Sequence, residues 1–219
     1  MSQIKLLHSG GNGVSIVAPD SNPASDRTLK LPSDGDGTIL TTNSAVGKVL
    51  QVIQNVKSDT ASWTGTSFSN IAGTDEAGNG SIWEVNITPT KANSKLLVEF
   101  SGAIGSNLGV MQAVRLVRNV TGASTAYPFL GDASGSSPRV SRHVRDDQTT
   151  MKTHVVNQIH FSYLDSPSYS IGNVVTYHLQ GMGYSSSETV YLNRSGSQQT
   201  EATYDGLQAS TLTVMEVAV

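Results

Sequence analysis

Trp83-Glu84-Val85-Asn86-Ile87-Thr88-Pro89 alternates apolar with polar residues and then stops on a proline. Successive side chains of a strand point to opposite faces of its sheet, so this alternation marks a strand with one buried and one wet face. Pro89 lacks the N–H that a continuing ladder would use. A few residues on, Leu96, Val98 and Phe100 repeat the pattern around Glu99 and Ser101. Trp83 belongs to this alternation and is expected in the core.

The same reading extends in both directions. Leu50, Val52 and Val56 come before it, followed by a polar stretch around Trp63. After it come Val114, Leu116 and Val120. Val155, Ile159, Phe161 and Tyr163 face away from His154, Gln158 and His160. Val175, Tyr177 and Leu179 follow, then Val190 and Leu192. In the final run, Thr211 to Val219, Leu212 and Val214 lie on one face and Met215, Val217 and Val219 on the other. Met111 to Val120 is the only segment where a helix competes, and its β-branched content favours a strand. About eight strands with turn-rich spacers predict an all-β fold, with an antiparallel, jelly-roll-like β-sandwich over residues 48–219. The last strand, apolar on both faces, is expected in a sheet interior or near the axis of an oligomer.

Composition agrees with this class. Charged residues are 14% of the 219, hydrophobic residues 37%, and the net charge is -3. Disordered chains combine few apolar residues with high net charge, so this chain is expected to fold. With no cysteine, disulfide scaffolds and thiolate metal sites are excluded. No run of about 20 apolar residues is present, so no membrane span is expected. A pI near 5.9 argues against a nucleic-acid binder, which needs a basic face. The first residues lack the apolar core of a signal peptide, which predicts a product kept or assembled in a cytosol.

Residues 1–47 differ from the rest. Ile4–Leu7, Val14–Val17, Thr28–Leu31 and Thr38–Thr41 read as short strands around Gly10-Gly11-Asn12-Gly13 and Ser33-Asp34-Gly35-Asp36-Gly37 turns. So few short strands are marginal alone, and the segment has no aromatic residue to anchor a core. Copies from several chains are expected to intertwine there.

The search for chemistry gives a binding surface rather than a reaction centre. Asp34-Gly35-Asp36-Gly37 lacks the further oxygens of a calcium loop. His154 and His160, read on one strand face, would stand about 20 Å apart, too far for one metal. There is no Gly-x-Ser-x-Gly elbow, and nothing singles out a carboxylate pair among Glu84, Glu99, Asp146, Asp147, Glu188 and Asp205. No catalytic residue, cofactor or metal is assigned. The longest irregular stretch, Thr121 to Thr150, mixes aromatics with cations, as binding surfaces do. Its Tyr127, Phe129, Arg139, Arg142, His143 and Arg145 are the candidate receptor-binding residues, suited to sugar rings and to anionic envelope polysaccharide. Trp63, Tyr169 and Tyr184 are further loop aromatics that could stack on sugars.

Leu29-Lys30-Leu31-Pro32-Ser33-Asp34-Gly35-Asp36-Gly37-Thr38-Ile39-Leu40-Thr41-Thr42, preceded by Val14-Ser15-Ile16-Val17-Ala18-Pro19-Asp20, resembles a segment common in phage tail-fibre and related appendage proteins. Gly47-Lys48-Val49-Leu50-Gln51-Val52, the Ile87–Val98 run and the closing Ser210–Val217 are similar to parts of a phage C-terminal β-domain. The resemblance implies a homotrimer whose C-terminal domains resemble tumour-necrosis-factor or complement-type jelly rolls. It further implies a virion location, assembly in a host cytoplasm, attachment to other virion proteins through residues 1–47, and a host-surface ligand. A complete tail fibre also carries a long shaft and an anchor, for which the segment at Met1 leaves no room, so a short fibre, head appendage or tip protein fits better. The alternatives are a non-viral carbohydrate-binding module, a capsid decoration protein and a small hydrolase.

Overall fold

A computed structural model of the chain describes residues 3–7, 9–11, 13–17, 48–145, 152–198 and 206–219. The chain forms two units, Met1–Ser44 and Ala45–Val219. In the first, β1 (Gln3–Leu7) and β2 (Gly13–Val17) make an antiparallel hairpin, with Leu7 opposite Gly13 and Gln3 opposite Val17. The strands expected at residues 28–31 and 38–41 lie outside the described residues.

The second unit is an antiparallel β-sandwich. Its strands are β3 (Val49–Lys57), β4 (Ala61–Thr64), β5 (Ser69–Asn70), β6 (Glu84–Ile87), β7 (Lys95–Ser106), β8 (Gln112–Val120), β9 (Arg142–Val144), β10 (Asn157–Asp165), β11 (Val175–Gly183), β12 (Thr189–Leu192) and β13 (Ser210–Val217). Sheet I runs β3-β13-β7-β10, and β12 and β4 extend it beyond the end of β13 along β7. Sheet II runs β6-β11-β8-β9, with β5 beside β6 on β11. The path crosses repeatedly between the sheets, at β4 to β5, β6 to β7, β7 to β8, β9 to β10, β10 to β11 and β11 to β12. This is the jelly-roll pattern that the strand spacing predicts.

The alternating residues meet where expected. Leu96, Val98 and Phe100 of β7 are fully buried, as are Val85 and Ile87 of β6, Leu116 of β8, Tyr177 and Leu179 of β11, and Leu212 and Val214 of β13. An aromatic chain threads this core. Trp83 meets Phe100 edge-on at 6.1 Å, Phe100 meets Phe161 at 5.5 Å, and Phe161 meets Phe129 at 5.4 Å. Edge-on and tilted contacts suit the ring quadrupoles and add to the area buried.

Two local readings are corrected. Trp63, read in a polar stretch as a loop aromatic, lies on β4 and is buried against Gly181. A Cβ at Gly181 would sit 2.2 Å from the Trp63 ring, so the missing side chain makes the ring's room. His154 belongs to a short 3-10 turn, Lys152–His154, and not to the strand of His160.

Buried polar groups staple the loops to this frame. The fully buried Glu188 carboxylate accepts from Ser106 Oγ and from the backbone N–H groups of Val110, Met111 and Tyr184. It thereby holds the β7–β8 and β11–β12 connections together. Glu216, on the inward side of β13 and fully buried, accepts from Thr90 N, Lys91 N and Gln51 Nε2. Burial works to raise the Glu216 pKa, but these donors outweigh it and hold the carboxyl below its ordinary value. Between the sheets, Arg118 NH1 donates to both oxygens of Asp165 at 2.7–2.8 Å, and the Tyr177 hydroxyl donates to the same carboxylate. Burial first, and then the charge of Asp165, push the Tyr177 hydroxyl far up.

Candidate functional site

The outward sides of the two sheets differ in chemistry. On sheet I, register places Val52 beside Met215, Met215 beside Leu97, and Leu97 beside Leu164. Leu212, Val214, Val98 and Phe100 face inward, so alternation turns this row outward. Val52 is 56% exposed and Leu164 47%. Val49, Val56 and Val219 are also exposed. The next row, Gln54, Thr213, Glu99 and Ser162, is polar, and Gln54 Nε2 donates to Thr213 Oγ1. Sheet I therefore carries an apolar row across four strands, bordered by a polar one.

The outward side of sheet II carries polar groups in three cross-strand rows, with Ala113, Val117, His178 and Met182 buried on the same side. Asn119, Thr176 and Asn86 form one cross-strand row, in which Thr176 Oγ1 donates to Asn86 Oδ1. Val117, His178 and Glu84 form the next, and Arg115, Gln180 and Asn70 the third. Burial drives His178 down to about 4, with its Nδ1 buried and unpartnered. Burial raises Glu84, opposed by its bond to Asn86, and nearby Asp75 and Glu76 raise it further.

Arg115 is the centre of the third row. Its Nε and NH2 donate to Gln180 Oε1 at 2.8 and 2.6 Å, and Gln180 Nε2 donates onward to Asn70 Oδ1. Its Cζ lies 3.7 Å from the Phe68 ring centroid and 3.9 Å from that of Tyr127. Two rings this close to one carbon would overlap on a single side, so they take opposite faces of the guanidinium. Burial under them lowers the Arg115 pKa. Phe68 comes from the residues before β5. Tyr127 is set by a short return of the chain: Gly122 adopts φ +79, and Ala126 exchanges two 2.9 Å backbone hydrogen bonds with Arg118. That bridge lays the next residue beside β8.

The six residues expected to form a binding surface are dispersed. Tyr127, 39% exposed, joins the Arg115 stack. Phe129, past Pro128, turns the other way and packs on Phe161 and Tyr163 at the edge of the core. Arg142 lies 5.6 Å from the Phe129 ring centroid and donates through Nε to the carbonyl of His160. Arg139 closes its own loop by donating to the Gly131 carbonyl at 2.7 Å. His143, opposite Ala113 on β9, and Arg145 are exposed. Of the other loop aromatics, Tyr169 packs against the core with its hydroxyl on the Lys91 carbonyl, while Tyr184 is exposed.

Phe68, Arg115, Gln180 and Asn70 were missing from the sequence expectation. Only register brings them together. One local signal was present: Arg115 stands between Val114 and Leu116, at the outward position of an apolar run. The chain matches no known protein-family model and no curated protein.

Proposed function

We propose that the chain is a non-enzymatic structural protein of a bacteriophage virion, a short fibre or appendage built as a homotrimer. Residues 1–47 attach it to other virion proteins, and the sandwich domain binds a host-surface glycan. The virion assignment rests on the fibre-like N-terminal segment. The trimer is supported by one observation above all, the apolar Val52–Met215–Leu97–Leu164 row on the outward side of sheet I. The inward side chains already fill the sandwich core, and among the described residues this row adds nothing to it. Contiguous exposed apolar side chains mark association surfaces. Two further copies of the same chain cover it when three domains meet around an axis. Sheet II then faces away from the axis, with Asn70 and Tyr127 exposed beside the ring-flanked Arg115.

Light scattering on the full chain tests the reading. A closed trimer of 23.1 kDa protomers gives about 69 kDa at micromolar concentration. A mass of 23.1 kDa at that concentration overturns it. Imaging of a native particle with this chain located on it tests the virion assignment.

A further inference from the structure

A guanidinium has five N–H donors in one plane. At Arg115, Nε and NH2 each direct one at Gln180 Oε1, and the faces of the plane are covered by Phe68 and Tyr127. Three N–H groups have no acceptor among the described residues, two on NH1 and one on NH2. Those on the NH1–NH2 end of the plane stand side by side, at the spacing of the two oxygens of a carboxylate. Among the described residues the ion pairs are Lys57–Asp59 and Arg118–Asp165, and neither involves Arg115. The surroundings carry amides and hydroxyls: Asn70 and Gln180 in the same row, and Asn119, Thr176 and Asn86 two rows away. Such groups suit the hydroxyls of a sugar, and the exposed part of the Tyr127 ring offers a plane beside them.

We propose that the end of the Arg115 guanidinium, held between Phe68 and Tyr127 and oriented by Gln180, binds the carboxylate of an acidic sugar on the outward side of sheet II. This rests on the glycan-binding part of the function proposed above and moves recognition from the loop arginines to β8. Arg115 makes the contact, and Gln180 is its positioning residue. The fixed plane distinguishes this site from a solvated arginine, because both hydrogen bonds to the ligand form without first ordering the side chain.

The test is calorimetric titration of the full chain with three oligosaccharides of equal length: oligogalacturonate, oligosialate and neutral maltooligosaccharide. At least one acidic oligomer is expected to bind, with the neutral one weaker by about tenfold or more. Arg115→Lys keeps the charge but loses the planar fork, and is expected to weaken acidic binding by about tenfold. Tyr127→Ala and Gln180→Ala should each weaken it several-fold. Arg194→Lys, at another arginine stacked on a ring (Tyr191, 3.9 Å), should leave it unchanged. Circular dichroism establishes that each variant is folded. The proposal is overturned if neither acidic oligomer binds, if the neutral one binds equally well, or if folded Arg115→Lys binds as the parent does. The two readings fail separately: a monomer that binds acidic sugar loses the appendage, and a trimer that does not bind loses this site.

Discussion

Arg142 Nε donates to the carbonyl of His160 at 3.1 Å and so joins β9, the edge of sheet II, to β10, the edge of sheet I. A residue expected to contact a receptor thus closes one side of the sandwich over Phe129. Arg142→Ala removes the tie and the ring contact. A loss of about 1 kcal/mol is expected, with faster hydrogen exchange at the β9 and β10 amides. Unchanged exchange there would show that the edge closes without it.

Glu188 accepts from four separate donors in a fully buried site. Glu188→Gln turns one acceptor oxygen into a donor facing other donors. The expected cost is on the order of 3 kcal/mol, read by denaturant midpoint, together with increased mobility of the 107–111 and 184–188 loops. A variant within 0.5 kcal/mol of the parent, about the scatter of surface substitutions, contradicts the staple role.

Gly181→Ala would place a Cβ 2.2 Å from the Trp63 ring. Overpacking of this kind costs about 1–3 kcal/mol and should alter the near-ultraviolet dichroism of tryptophan. Gly78 has φ +84 and open space around it, so Gly78→Ala should cost about 1 kcal/mol from backbone strain alone and leave that spectrum unchanged. Equal spectra for both variants would remove Gly181 from the account of how Trp63 is seated.

His178 titrates near 4 in the folded chain against an ordinary 6.5. As pH falls, the unfolded chain takes up this proton first. The stability that His178 contributes is therefore complete above about 6.5 and is lost between 6.5 and 4, with a slope of at most about 1.4 kcal/mol per pH unit. Glu216 acts lower. Its folded pKa lies below 4.5, so its contribution is present above that value and lost as pH falls through the depressed one. Unfolding midpoints measured across this range should show both declines, and His178→Gln should flatten only the upper one. Glu84, raised by burial, acts in the opposite sense as pH falls, so the deciding comparison is between the two proteins: coincident parent and His178→Gln profiles from 6.5 to 4 would refute the assignment to His178.

Leu164→Glu and Val52→Glu place charges on the apolar row of sheet I without touching the core. Each is expected to shift the light-scattering mass toward the protomer while the far-ultraviolet spectrum stays that of the parent. A trimer that survives both changes would place its interface elsewhere.

The strands that the sequence makes legible are those long enough to show a period. β7, β10, β11 and β13 have eight or more residues, long enough for alternation or a two-sided apolar pattern to show, and their inward apolar positions join the core. β5 and β9 have two and three residues, too few to show alternation, and β9 was hidden in a stretch read as irregular. The inward Glu216 is not legible either, because an acid in an apolar strand reads as outward until its donors on the 88–91 turn are placed. The site was less legible for a topological reason. Phe68, Arg115, Tyr127 and Gln180 are drawn from four segments, and only the pairing of β5, β11 and β8, with the Ala126–Arg118 bridge, brings them together. Tyr127 and Phe129 share a parity, but the bend past Pro128 sends them to opposite sides.

β13 lies between β3 and β7, bonded to both, and every other strand of the sandwich is synthesised before it. Until β13 emerges, β3 and β7 each keep an open edge with unpaired backbone groups, where a strand from another chain can add. The newborn domain therefore passes through a period of vulnerability that the finished one does not have. Closure is also slow in principle, because it joins segments separated by most of the domain's length. For production in a foreign host, this makes release of the last strand the moment that decides between soluble protein and aggregate.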